Sequence, residues 1–319
     1  MKELGGYFEF ELPKKTEFHK DAVRLNSGRN ALEYILLAKN YTKVYIPFYT
    51  CDAVLHSIEK LGIKYEFYKI DYKLNPIFNF EKIRTNEAFL YTNYFGVMYS
   101  KLIEICKIHE NIILDNSQAF YTPKINENDC FYSPRKFFGV PDGSYLYCNK
   151  RLKAPLKIDK SSSRFSFLFD RIENNATIGY SSFIKNEIFL NEAPMLKMSK
   201  FTRRVLESID YDKVAEIRVN NYKYLSKYLD LYNLNIFKLH SEDIPMFYPF
   251  FTEKYFLREL LIKDKIYVPN YWKNVYDWVG DDAVEFKLAK TLLPLPIDQR
   301  YTNKDLSRII KIITNEYKK

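Results

Sequence analysis

Residues 29–71 read RNALEYILLAKNYTKVYIPFYTCDAVLHSIEKLGIKYEFYKID, and their periodicity decides the fold. RNALEYILLAK places apolar residues at helical spacing, with Asn26 or Ser27 as the candidate N-cap. KVYIPFY is a β-rich run, DAVLHSIEKLG a second helix ending at Gly62, and KYEFYKID a second strand. The alternation continues downstream. EAFLYTNYF reads as a strand, KLIEICKIHE as a helix, NIILDNS as a short apolar strand, and CFYS and SYLYCN as two more strands. Strands and helices alternating at this spacing predict an α/β fold, a mostly parallel sheet sandwiched by helices. In such sheets ligands bind outside the carboxyl ends of the strands.

Past Asn149 the alternation fades. Residues 150–200 read as irregular and then helical, and residues 203–231 as one long helical stretch. The runs NIFKL, MFYPFF, KIYVP and LLPLPI, with the basic helix NKDLSRIIKIITNEYKK, predict a smaller C-terminal α+β domain. The expected division is an N-terminal arm (1–22), a large α/β domain (23–200) and a small α+β domain (201–319).

The bulk composition narrows the function classes. Hydrophobic residues make up 47% of the 319 and charged residues 28%, which is globular and not disordered. No signal peptide is readable in MKELGGYFEFELPKK, and no run approaches the roughly 20 apolar residues of a membrane span. Cys51, Cys106, Cys130 and Cys148 show no framework spacing, which suits reduced thiols in a cytoplasm. Cys106 and His109 can share a helix face, but two ligands do not make a metal site, so no metal is expected. The net charge of +9 comes from 49 basic residues interspersed with 40 acids and without a nucleic-acid motif, which speaks for a solvated basic surface.

Three short motifs fall at predicted strand ends or helix starts. In LNSGRNAL, Ser27, Gly28 and Arg29 stand where a helix N-terminus offers free amides to a phosphate, although capping alone accounts for Ser27. In IILDNSQAF, Asp115 closes an apolar run at a strand's carboxyl end and can partner a cationic ring nitrogen; an ordinary Asx-turn is the plainer reading. Gln118, three residues on, can face the same cleft. In FYSPRKFFGVPDG, Lys136 sits among aromatics beside Arg135, so desolvation and a like charge should lower its pKa. That yields the neutral amine a Schiff-base lysine needs, although a single lysine also commonly snorkels to the surface. Four of the nine glycines, Gly28, Gly96, Gly139 and Gly143, fall in these motifs or in TNYFG, as if backbone geometry demands them there. A phosphate cradle, an aspartate and a reactive lysine in this order describe a pyridoxal phosphate (PLP) site.

With these motifs the sequence resembles the DegT/DnrJ/StrS-type sugar aminotransferases, which are fold-type I PLP enzymes. NSGRNAL resembles the family's Ser-Gly-Thr phosphate turn, ILDNSQAF its Glu-Asp-x-x-Gln/His segment, and SPRKFFGVPDG the segment that carries its PLP lysine. The resemblance implies that Lys136 and Asp115 are catalytic. It implies that Ser27, Gly28, Arg29 and Ser133 hold the cofactor phosphate, with Gln118 near the phenolic oxygen. An aromatic should stack on the ring, but the family's Thr-aromatic pair reads Thr50-Cys51 here, so Phe48, Tyr49 or Tyr94 takes that role. Asn93 stands for the family's histidine, and Asn93, Tyr94 and Arg218 are substrate candidates. GYSSFIK (179–185) is the nearest match to the Asn-Tyr-Arg segment that reaches a partner subunit. The family usually runs longer, so part of the substrate side is expected to be missing.

The implied activity is transfer of an amino group from an amino acid, glutamate first, to a keto-sugar. The sugar would be nucleotide-linked and serve surface polysaccharide synthesis in a cytoplasmic homodimer, with no nucleic acid, membrane or metal involved. A degenerate relative that binds a sugar or a partner without catalysis is the alternative.

Overall fold

The computed structural model describes residues 4–319. β1 (Val23–Leu25) leads into α1 (Gly28–Lys39), β2 (Lys43–Pro47), α2 (Asp52–Lys60), β3 (Lys64–Ile70) and the short β4 (Pro76–Ile77). Then come β5 (Glu87–Thr92), α3 (Tyr99–Ile105), β6 (Ile112–Asn116), β7 (Asp129–Tyr132) and β8 (Ser144–Tyr147). These strands form one sheet in the order β1-β8-β7-β6-β5-β2-β3-β4. The five central strands, β7-β6-β5-β2-β3, run parallel, and the edges close it with antiparallel pairs.

The middle of the sheet is buried on both sides, so β5 and β6 are buried along their whole length, whereas β3 near the edge keeps exposed charged residues. Val44, Ile46, Leu90, Ile113 and Phe131 point to the face covered by Leu32, Ile35 and Leu36 of α1 and Ile58 of α2. Their neighbours Tyr45, Phe89, Tyr91, Leu114 and Tyr132 point the other way, as the two-residue period of a strand requires. That second cluster runs on without a break into Leu225, Phe250, Leu288 and Ile309 of the C-terminal half.

After β8 come α4 (Ser166–Glu173), α5 (Tyr180–Glu192), α6 (Lys200–Leu206) and α7 (Tyr211–Leu229). The single helix expected over 203–231 is therefore two. The break falls at Glu207–Asp210, where the Asp210 side chain accepts the Lys213 N–H and starts a new helix. β9 (Tyr248–Phe251), α8 (Leu257–Lys263), α9 (Val275–Trp278), α10 (Val284–Thr291), β10 (Leu292–Leu295) and α11 (Asn303–Lys318) complete the chain. MFYPFF and LLPLPI pair as the antiparallel β9 and β10, while NIFKL and KIYVP find no ladder partner and are not strands. The fold is a large, mostly parallel sheet between helices with a small antiparallel α+β unit. A division at residue 200 would fall at the first residue of α6, and the apolar cluster crosses it.

Two glycines are required by the backbone. Gly96 has φ +70°, and a Cβ there would lie 2.6 Å from the Ile244 carbonyl oxygen. Gly143 has φ +120° against Thr202 and Pro134. Gly28 and Gly139 have neither a positive φ nor a crowded Cβ site, so the expectation that geometry demands all four holds for only these two.

Candidate active site

At the start of α1, Ser27 is extended (φ −153°), so its Oγ turns back to accept the Asn30 N–H at 3.2 Å. The same hydroxyl donates to Asn30 Oδ1 at 2.9 Å and is 1% exposed. Ser27 is thus spent as an N-cap, worth about 1 kcal/mol. What remains free are the amides of Gly28 and Arg29, both half-buried, which take no hydrogen bond among the described residues. The Gly143 N–H donates to Asn26 O at 2.7 Å and ties this turn to the loop that follows Lys136.

Lys136 closes a single 3-10 turn, Pro134–Lys136, just beyond β7. Its Nζ donates to Ser117 Oγ at 3.2 Å, and the Ser117 N–H donates to Asp115 Oδ1 at 2.9 Å. Asp115 sits one residue before the end of β6, so both groups come from the carboxyl ends of adjacent parallel strands. Its Oδ2 takes no hydrogen bond among the described residues. Burial by surrounding atoms pulls the Lys136 pKa below the usual lysine value; Asp115 and Cys51 oppose this, while Arg29 and Arg135 add to it. Yet the side chain is reached by solvent. Both statements hold for a group on the floor of a recess, open to water on one side and surrounded by protein on the others. Ser133, at the start of the same turn, caps nothing with its hydroxyl.

Most of the other sequence-derived residues are held by protein partners, while Arg218, Gly179 and Tyr180 also line the cavity beside Lys136. Tyr49 is fully buried, its ring 5.0 Å from Trp272, and Phe48 stacks on Phe67 at 4.5 Å. Tyr94 is 1% exposed and donates to the Tyr49 carbonyl at 2.8 Å. Tyr49 and Tyr94 are closed off and have no free face for a ligand, while Phe48 is half-buried with one face on Phe67. Asn93 is locked between Asn116 Oδ1 and Thr122 Oγ1, and Gln118 Oε1 accepts the Phe95 N–H at 3.0 Å. Arg218 is buried under Phe137 and binds the carbonyls of Pro245, Met246 and Phe137. Its role is to hold three chain segments together. GYSSFIK forms the start of α5, a helix with an outward apolar face.

Residues the sequence reading passed over are nearer the lysine. Ser117 is the only side chain hydrogen-bonded to Lys136 among the described residues, and it lay inside a motif read for its ends, Asp115 and Gln118. Cys51 stands at the first turn of α2, where burial pushes its thiol up to about 11. Tyr271, half-buried and stacked on Phe247, lies within charge reach of Cys51. Beside Lys136 a cavity of about 540 Å³ opens toward α4 and α5, lined by Arg135, Phe138, Leu168, Tyr180 and Arg300 among others.

A mostly parallel sheet with its site at the carboxyl ends, plus a small C-terminal α+β unit, is the architecture of fold-type I PLP enzymes. Among solved structures, the chain is similar to a DegT DnrJ EryC1 StrS aminotransferase from Brucella abortus: TM-score 0.59, 15% identity, 95% of this chain and 90% of that one. It is similar to ntda from Bacillus subtilis, solved with bound cofactor PMP: TM-score 0.66, 14% identity, 93% and 73% of the chains. It is similar to DesI, solved in the presence of its TDP-sugar product: TM-score 0.61, 12% identity, 92% and 79% of the chains. The fold is therefore that of the DegT/DnrJ/EryC1/StrS aminotransferases. The expected shortening is slight against the Brucella protein and larger against ntda and DesI. No protein-family model and no curated protein matches the chain.

Proposed function

We propose that this protein is a PLP-dependent aminotransferase that moves an amino group from an amino acid, glutamate first, to a nucleotide-linked keto-sugar. The single observation that carries the reading is the Lys136–Ser117–Asp115 connection at the carboxyl ends of the parallel strands. The residues present fit the cofactor. Asp115 keeps one carboxylate oxygen free, Arg29 buries an Nε without a partner, and the Gly28 and Arg29 amides are unspent.

PLP supplies an electrophilic aldehyde and an electron-withdrawing ring. This chain supplies the rest. Lys136, its pKa lowered by burial, gives up its proton more readily than an ordinary lysine, which favours the neutral amine that attacks a carbonyl. The same Nζ then takes the proton from the donor's α-carbon as a general base. With the cofactor bound, the free Asp115 oxygen would stabilise positive charge on the ring nitrogen. The α1 amides, the Arg29 guanidinium and the Ser133 hydroxyl hold the phosphate.

The DesI structure, with its TDP-sugar product, supports a sugar-nucleotide acceptor, and a role in surface polysaccharide synthesis extends that reading. A homodimer is supported by the α4–α5 hairpin, which exposes Ile172 (79%), Tyr180 (60%) and Ile188 (57%). No helix among the described residues is long and apolar enough to cross a membrane; we place the enzyme in the cytoplasm. With PLP bound, glutamate should bleach the visible band and release 2-oxoglutarate, and a keto-sugar nucleotide should restore it. One observation favours a second reading, a binding relative without catalysis: Tyr49 and Tyr94, two of the three stacking candidates, are sealed in the core. A band that glutamate leaves unchanged would support it.

A further inference from the structure

We propose that Arg135, the residue immediately before Lys136, is a second guanidinium for the cofactor's phosphate and that Glu187 of α5 holds it in place for that task. The inference rests on the PLP reading above. Three observations carry it.

First, Arg135 is a buried cation with spare capacity. Its side chain is 13% exposed, and its only salt bridge among the described residues is to Glu187. That contact uses NH2, and Nε is buried without a partner. Second, Arg29 shows the same signature, a buried Nε with no acceptor. The two guanidiniums and the Lys136 ammonium lie within charge reach of one another, and Arg29 helps depress the Arg135 pKa to about 10, after burial itself. Three cations gathered in one recess are costly unless an anion joins them. Third, the acids nearby meet that need only in part: Glu187 pairs with Arg135 alone. Asp142 is spent on Ser199 N–H, Ser199 Oγ and Thr202 Oγ1, and Asp115 faces Ser117. Around the cluster stand the unspent amides of Gly28 and Arg29 and the Ser133 hydroxyl that caps nothing.

Together these make a site for a tetrahedral dianion. A planar guanidinium can bind two of its oxygens at once, which an ammonium cannot. Glu187, on α5, keeps the Arg135 side chain oriented while leaving Nε uncommitted.

The test compares PLP with pyridoxal, which lacks the phosphate, by absorbance and fluorescence titration of the whole chain. Wild type should bind PLP more tightly than pyridoxal. Arg135→Gln should weaken PLP by roughly 10- to 100-fold and leave pyridoxal unchanged. Arg135→Lys should recover part of the loss, and Glu187→Gln should cost far less than Arg135→Gln. Equal weakening of PLP and pyridoxal in Arg135→Gln would make Arg135 a structural residue and overturn the proposal. An unchanged PLP-to-pyridoxal ratio with weaker binding of a nucleotide sugar would assign the cation to the substrate's phosphate instead. If Arg135→Gln does not fold, the same ratio is read on Arg135→Lys, where an unchanged value overturns it. Wild type that binds neither ligand would bring down the PLP reading itself, an outcome distinct from all of these.

Discussion

His19 allows a quantitative check of the buried packing that positions the α1 turn. The imidazole is 3% exposed, its ring 4.0 Å from Tyr132 and packed edge-on against Phe120. Nε2 lies 2.7 Å from the Phe120 carbonyl, so it carries the proton and donates, leaving Nδ1 to accept from Tyr147 Oη at 3.4 Å. Both ring nitrogens are satisfied in the neutral form, and burial lowers the pKa from 6.5 to about 4, partly offset by the Phe120 hydrogen bond. Above pH 6.5 folded and unfolded chains are both neutral at this site. Below it the unfolded chain takes up a proton that the folded one refuses until about pH 4, so stability is full above 6.5 and falls between 6.5 and 4. The whole window is worth about 3 kcal/mol, of which about 2–3 kcal/mol is lost by pH 4.5. Urea unfolding at pH 7 and pH 4.5, for wild type and His19→Gln, isolates this from the carboxylates common to both. Wild type should lose about 2–3 kcal/mol more than the variant on acidification. Equal losses would refute the buried neutral imidazole.

Other consequences are as direct. Gly96→Ala forces a side chain into a positive φ and onto the Ile244 carbonyl, and should cost roughly 2–5 kcal/mol in chemical denaturation. Gly28→Ala meets nothing closer than 3.8 Å and should stay within about 1 kcal/mol of wild type. Because its pKa is lowered, Lys136 should be modified by an amine-reactive reagent at pH 7 faster than the surface lysines, as peptide mapping by mass spectrometry would show. Ile172→Lys with Ile188→Lys should convert a dimer of 38.2 kDa chains to monomer in sedimentation velocity while far-UV circular dichroism stays unchanged.

The sheet was legible because its middle strands β5 and β6 are buried on both faces and read as short, mostly apolar runs between helical segments. The C-terminal half was less so. Its strands NIFKL and KIYVP look as apolar as MFYPFF, and only long-range pairing separates them. The break between α6 and α7 hinges on one side chain, Asp210, that reads equally well as helix surface. At the site, Lys136 and Asp115 stood out because a charge in an aromatic or apolar run needs a reason. Tyr49 and Tyr94 looked equally significant, yet Tyr49 is sealed in the core and the Tyr94 hydroxyl is spent on a backbone carbonyl. Which way a side chain turns at a strand end is set by packing that the one-dimensional pattern does not carry. Ser117 illustrates the converse, an unremarked residue that tertiary structure sets against the lysine.

The measurement that most directly tests the central claim is the visible absorption spectrum of the purified chain with added PLP, beside Lys136→Ala. The account predicts a yellow band in wild type that borohydride fixes covalently, with the adduct on the peptide containing Lys136, and no such band in the variant. No band, or the same trapped band in both proteins, would contradict the assignment of Lys136.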